Sequence, residues 1–229
     1  MKKILIIGAG QGIGGAIGQK LARNAELWTT TRNTEPEFES THRAWDSSQE
    51  FPADFLPDDL DGLVYCPGTI RLKPFERLTL DDYEQDLEVN LKGAVRVLKA
   101  AIPALRAAPH ASVVLFSTVA VTTGMPMHAS IASAKGAIEG LTRSLAAEYA
   151  PGVRFNAIAP SLTDTSLASG LLRTERQREA AATRHPLERI GDPDELAALA
   201  GFLLSDDSRW ITGQVLHADG GMSSIRKFA

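Results

Sequence analysis

Lys135 stands among Ala, Ser and Gly in the stretch HASIASAKGAIEGLTRSLAAEY, His128 to Tyr149. Ile131, Ile138, Leu141 and Leu145 recur there at helical spacing, so the stretch reads as one helix, with Ser130 or Ser133 capping its start and Pro151-Gly152 ending it. A cation in the first turns of a helix opposes the dipole, so Lys135 either reaches for water or holds something specific. A second chemical element is GAGQGIG, Gly8 to Gly14, which follows an apolar run, Lys3 to Ile7, and precedes Ile13, Ile17 and Leu21 at helical period. Strand, glycine turn and helix in that order bind phosphate, because glycines let the backbone come close and the helix start supplies N–H groups. Gly8, Gln11, Gly12, Ile13 and Gly14 are the candidate contacts. The next strand ends at Thr31-Arg32, with no acid until Glu35. An acid there would hold a ribose 2′-OH, whereas an arginine pairs with a 2′-phosphate, so NADP(H) is favoured over NAD(H). Asp46 either accepts from an adenine amino group or caps a helix near Ser47 to Asp54. Asn90 falls inside a long helical segment, where an Asn is unfavourable unless its amide has a task.

These residues need a frame, and the chain supplies one in order. Apolar strands are expected at Lys3–Ile7, Glu26–Thr31, a short third run ending at Asp46, Leu63–Cys66, Ser112–Ser117, Val153–Ala159 and Gln214–His217. Helices are expected at Ile13–Asn24, Leu80–Arg106, His128–Tyr149 and Pro193–Leu204, with a polar, helical and mobile segment over Ser166–Arg184. The alternation predicts an α/β fold: one Rossmann-type, doubly wound parallel sheet with right-handed crossovers, a single domain over 1–229. Ligands in such sheets lie beyond the carboxyl ends of the strands. Gly8, Arg32, Asp46, Pro67, Ser117 and Pro160 all fall at those ends. The hydrophobic fraction of 44% and charged fraction of 23% are those of a globular chain. A net charge of −4 without a basic block argues against nucleic acid and anionic membrane as partners. The single cysteine, Cys66, excludes an internal disulfide and suits a reducing cytoplasm. MKKILIIGAG is read as a first strand entering a loop, not a signal peptide, since its apolar run is short. No apolar stretch approaches membrane-spanning length, and no metal-ligand set is read.

The pattern resembles the short-chain dehydrogenase/reductase family over nearly the whole chain. The family's Gly-x-x-x-Gly-Ile-Gly matches Gly8, Gly12, Ile13 and Gly14. VNLKG matches its helix Asn at Asn90, and VVLFST places its active Ser at Ser117. VRFNAIAPSLTDT resembles the stretch that lies over the nicotinamide and pyrophosphate, which implies contacts from Pro160, Ser161, Thr163 and Thr165. RIGDPDELA and FLLSDDSRWITGQVLHADGG resemble its C-terminal signature. Three departures stand out. The Thr before the glycine motif is Ile7, and the Asn-Ala-Gly after strand four is Cys66-Pro67-Gly68. The catalytic Tyr-x-x-x-Lys reads Ile131-Ala132-Ser133-Ala134-Lys135, so Ile131 stands where the tyrosine belongs.

The resemblance implies roles. Ser117 would polarise a substrate carbonyl, Lys135 would bind the nicotinamide ribose, and Asn90 would position a water in the proton relay. The dinucleotide supplies hydride, and the protein orients and delivers the proton. Ile131 transfers no proton. His128, one helical turn earlier, carries an imidazole able to act as the acid, and a water held by Lys135 and Asn90 is an alternative. Two functions follow. One is an NADP(H)-dependent oxidoreductase acting on a small carbonyl or alcohol with an altered proton donor. The other is an NADP(H)-binding pseudoenzyme serving as sensor or partner subunit. The family's habit, with the small faces AAIPALRAA and GAIEGLTRSLAAE, implies a homodimer or homotetramer. Met125, Met127, Leu167, Leu171 and Leu172 suggest an apolar substrate pocket.

Overall fold

The computed structural model describes residues 1–226. Its strands are β1 (Lys2–Ile7), β2 (Ala25–Thr31), β3 (Thr41–Ala44), β4 (Gly62–Tyr65), β5 (Ala111–Phe116), β6 (Val153–Pro160) and β7 (Val215–Ala218). Its helices are α1 (Gly12–Leu21), α2 (Leu80–Leu87), α3 (Gly93–Ala107), the short α4 (Ala120–Thr123), α5 (Ala129–Tyr149), α6 (Glu175–Ala182) and α7 (Pro193–Leu204). The strands form one seven-stranded parallel sheet in the order β3-β2-β1-β4-β5-β6-β7, so the chain reverses direction between β1 and β4. This is the predicted doubly wound, Rossmann-like sheet.

The strands are apolar runs because both faces are covered. On β1, Leu5 and Ile7 pack towards α3 and α5, with Val97, Leu105 and Ile138. Ile4 and Ile6 pack the opposite way towards α1 and α7, with Ile17, Leu196 and Leu203. Alternation with period two thus builds two cores from one strand.

Four local expectations are corrected. The helix expected at Ser47–Asp54 is absent, and only a 3-10 turn at Ala53–Phe55 forms; Asp46 instead accepts from the backbone N–H and hydroxyl of Ser48. The segment Leu80–Arg106 is interrupted by a π-helical turn at Glu88–Lys92. The buried Tyr65 hydroxyl donates to the Val89 carbonyl at 2.6 Å, and this bond satisfies a backbone group in the widened turn. Ser166–Arg184 holds a 3-10 turn at Ser169–Leu171 and then α6, whose start is set by a Thr174–Gln177 capping box. Neither Ser130 nor Ser133 caps α5: the N-cap is His128, the Ser130 hydroxyl donates to Asp86, and the Ser133 hydroxyl donates to the Ala129 carbonyl.

Candidate active site

At the end of β1, Gly8 has φ +82° and Gly12 φ +56°, the left-handed region that glycine tolerates. A Cβ on Gly14 would stand 2.2 Å from the Gly8 carbonyl oxygen, so the turn closes only without a side chain there. Gln11 precedes α1 without a side-chain cap, which leaves the first N–H groups of α1 to the cleft. Gly8, Gln11, Gly12, Ile13, Gly14, Thr31, Arg32, Asp46, Cys66, Pro67, Gly68 and Thr165 all line this cleft of about 340 Å³. The Thr31 hydroxyl lies 3.3 Å from His42 Nε2. Arg32 is exposed, and among the described residues it forms no ion pair. The two bonds from Ser48, its hydroxyl first, together with the Arg32 charge, hold the Asp46 carboxyl below its ordinary range. They occupy one oxygen of Asp46 and leave the other.

Beyond Gly68 the cleft opens into a second cavity of about 460 Å³. Ile13, Cys66, Gly68, Thr165 and Leu167 border both spaces, so one trough runs across the strand ends. Its far part is apolar, with Ile70, Leu72, Met125, Leu162, Leu167 and Leu171 on its wall. Met127 and Leu172 do not border it; Met127 is exposed and Leu172 packs with Ala168 and Ala181.

Lys135 and Asn90 meet at the junction. A Cβ on Gly68 would lie 3.5 Å from Lys135 Nζ and 3.4 Å from Asn90 Oδ1. Lys135 is buried and donates to the Phe116 carbonyl at 2.8 Å. Burial pulls its ammonium down to about 8, against the opposing influence of Cys66 and Asp86. Burial likewise pushes the Cys66 thiol up to about 12, so it stays protonated. Asn90 sits in the π turn, fully buried. Its amide nitrogen donates to Thr69 Oγ1 and to the Asp86 carbonyl, while its Oδ1 has no partner. A buried oxygen without a donor costs roughly 1–3 kcal/mol, and a water or ligand hydroxyl in the junction would remove that cost.

The hydroxyl of Ser117 borders the cavity, but its proton is already committed. It donates to Glu139 Oε1 at 2.7 Å, and the residue is only 3% exposed. The next residue, Thr118, is half-buried on the cavity wall, and the sequence reading passed it over. Ile131 also borders the cavity and is 5% exposed, so an apolar surface stands one turn before Lys135. His128 lies on the rim, half-buried, with Nδ1 2.7 Å from the Pro126 carbonyl.

From β6 the chain passes Pro160, Ser161, Thr163 and Thr165 along the cavity. Thr165 packs over the glycine turn, its Cβ 3.5 Å from where a Gly12 side chain would begin. Thr163 is buried and donates to the Ser161 carbonyl, which shapes the loop. The Ser161 hydroxyl points to an imidazole the sequence reading did not single out, His185 Nε2 at 2.8 Å. His185 is 3% exposed, and its Nδ1 lies 2.9 Å from the Ala181 carbonyl.

The left-handed glycines, the uncapped helix start, the free Arg32 and the unpartnered Asn90 oxygen suit a dinucleotide laid along the trough.

Comparison with known proteins points the same way. Residues 49–223 match the family model described as enoyl-(acyl carrier protein) reductase. A tropinone reductase homolog of Arabidopsis thaliana is 32% identical over 245 residues, covering 97% of this chain and 92% of the relative. A 3-oxoacyl-[acyl-carrier-protein] reductase of Thermotoga maritima is 35% identical over 164 residues, covering 71% of this chain and 66% of the relative. The ligand-free aldohexose dehydrogenase of Thermoplasma acidophilum superposes with a TM-score of 0.92 at 27% identity, covering 100% of this chain and 96% of that one. A gluconate 5-dehydrogenase from Burkholderia cenocepacia, in complex with NADP and tartrate, gives 0.90 at 28% identity, with 98% and 96% covered.

Proposed function

The chain belongs to the short-chain dehydrogenase/reductase family of oxidoreductases, and from that premise we propose that it interconverts a small carbonyl compound and its alcohol with NADP(H), through an active site in which Ile131 replaces the usual tyrosine. The observation that carries this reading is the junction over Gly68. There a nucleotide-shaped cleft and an apolar cavity meet at a buried lysine and an unpartnered amide oxygen. When bound, the dinucleotide supplies the hydride, and the protein holds and orients. The α1 N–H groups and glycines 8, 12 and 14 take the pyrophosphate, and Asp46 has a free oxygen for the adenine amine. Thr31 and Arg32 flank the ribose phosphate, and the Arg32 guanidinium supports the preference for NADP(H). Cys66, Pro67 and Gly68 form the floor, Pro160, Ser161, Thr163 and Thr165 the wall. Lys135 donates to the nicotinamide ribose, and Asn90 Oδ1 accepts from a water beside it. Thr118 borders the cavity beside Ser117, and since the Ser117 proton goes to Glu139, Thr118 is the hydroxyl assigned to polarise the carbonyl.

The binding-only reading is not favoured, because the relatives are reductases and dehydrogenases. The absence of a disulfide-capable pair suits a cytoplasmic enzyme.

The test is a fluorescence titration with NADPH and NADH, followed by a panel of ketones and aldehydes. NADPH is expected to bind more tightly than NADH. Arg32→Ala should weaken NADPH by about 10- to 100-fold, the worth of a charge-assisted bond of ~1.5–3 kcal/mol, and leave NADH nearly unchanged. Equal affinity for both nucleotides would remove the NADP(H) preference. Binding with no turnover of any carbonyl would overturn the enzyme reading.

A further inference from the structure

A carbonyl reductase must deliver a proton to the developing alkoxide, and Ile131 stands where the usual donor would be. The hydroxyls that border the cavity can be sorted by where their protons go. Thr69 donates to the buried Asp86 carboxylate, and Ser117 to Glu139, whose other oxygen lies 3.8 Å from Arg143. Thr163 donates to the Ser161 carbonyl. Thr118 Oγ1 accepts from the Ala120 N–H, and no titratable side chain stands behind it. Ser161 alone is backed by an imidazole. Its hydroxyl lies 2.8 Å from His185 Nε2 and, more weakly, 3.5 Å from Met222 Sδ, and His185 Nδ1–H donates to the Ala181 carbonyl at 2.9 Å. A carbonyl can only accept, so Nδ1 carries a hydrogen, and in the neutral ring the lone pair is then on Nε2, facing Ser161. Hydroxyl, imidazole and a fixed acceptor behind the ring form the arrangement by which a serine proton is made transferable.

The placement is also right. Phe116 pairs with Ile158 across β5 and β6, and the Val119 N–H donates to the Pro160 carbonyl at 3.0 Å. Lys135 is tied to the Phe116 carbonyl. Ser161 therefore emerges beside the end of β5, to which Lys135 is tied and which Thr118 follows, and both Ser161 and His185 border the same cavity.

We propose that Ser161, backed by His185, is the acid–base couple that exchanges the proton with the reacting oxygen in this cavity. The proposal rests on the reductase reading above. In the reducing direction the carbonyl carbon receives a hydride from the reduced nicotinamide dinucleotide, and the C=O π pair moves to oxygen. That oxygen takes the Ser161 hydroxyl proton, and the serine oxygen takes the Nε2 proton of the His185 imidazolium. An alcohol, an oxidised dinucleotide and a neutral imidazole remain; solvent then returns one proton to the ring. Alcohol oxidation runs the same transfers backwards, starting from the neutral ring.

Three variants and two readouts test this. Ser161→Ala is expected to lower kcat by about 10²-fold or more, the usual worth of a positioned acid, with KM and the NADPH Kd changed far less. His185→Gln can still accept from Ser161 but relays no proton, so it should fail to restore kcat; a purely structural pair would be rescued by that amide. His128→Ala should cost less than Ser161→Ala. If it costs more, or if His185→Gln keeps full kcat, the couple is not the donor. Independently of turnover, ¹⁵N spectra of the nucleotide-free protein should show His185 as the Nδ1–H tautomer, with its Nε2 signal shifted in Ser161→Ala. An Nε2–H tautomer would overturn the proposal even in a protein whose activity is undetected. Loss of NADPH binding or turnover in the unmutated protein would instead strike the reductase reading.

Discussion

Lys135 shows how one residue can be unfavourable for the fold and needed for the ligand. Its ammonium is buried with one carbonyl partner, and burial draws it from the ordinary 10.5 down to about 8. Between those values the unfolded Lys135 binds more protons than the folded one, so the Lys135 contribution to stability of the nucleotide-free protein rises from pH about 8 to 10.5. The buried Cys66 thiol, held up to about 12, opposes it above pH 9, so the rise is read as the difference between the unmutated protein and Lys135→Met. Denaturant titration across that range checks the sign, and Lys135→Met should lack the rise. The same variant should weaken NADPH by about 10-fold or more, since a charge-assisted bond is worth ~1.5–3 kcal/mol. Asn90 is the complementary case. Its orphaned Oδ1 costs free energy unless a donor fills the junction. Both residues were singled out from type and position, because a cation and an amide are misplaced in ordinary helix interiors. Ser117 was singled out by its place at a strand end, and the sequence does not say that its proton goes to Glu139.

Elements decide those directions. The glycine turn between β1 and α1 is closed so tightly that Gly14→Ala would set a methyl 2.2 Å from the Gly8 carbonyl. Such overpacking costs about 1–3 kcal/mol, so melting should fall by several degrees, about 2–4 °C per kcal/mol, and nucleotide affinity should fall with it. A melting curve with and without NADPH checks both. The π turn at Glu88–Lys92 was not legible in the sequence, since Tyr83, Leu87, Leu91, Val95 and Leu98 recur at helical spacing across it. A distant partner meets it: Tyr65 on β4 donates to the Val89 carbonyl, and Gly93 leaves room for its hydroxyl. Tyr65→Phe should destabilise by about 1–3 kcal/mol, because a buried carbonyl loses its donor, and should loosen Asn90. Equal stability of the variant by denaturant unfolding would show that the turn holds without that bond.

At the scale of the whole molecule, the sheet order puts β1, β4, β5 and β6 side by side, and their carboxyl ends make one trough. No helix among the described residues is long and apolar enough to cross a membrane. The small, Ala-rich helices α3 and α5 lie on one face of the sheet, and only part of each faces the core. We expect copies of the chain to associate through these helices as a dimer or tetramer. Light scattering after size-exclusion chromatography should give two or four times the chain mass of 24.6 kDa, and a monomer at micromolar concentration would contradict this.

Periodicity and glycine placement were enough to determine the sheet, the nucleotide turn and the positions of Lys135 and Asn90, because local patterns report which face a residue takes and where a backbone must turn. That an isoleucine stands one turn before Lys135 was equally plain, since their spacing is fixed within one helix. Only the tertiary structure decided that the Ser117 proton goes to Glu139 and that Thr118 faces the cavity. It alone brought His185 to Ser161 across 24 residues. Hydrogen bonds of that kind depend on how separate elements are rotated and stacked, and no periodicity along the chain encodes those rotations.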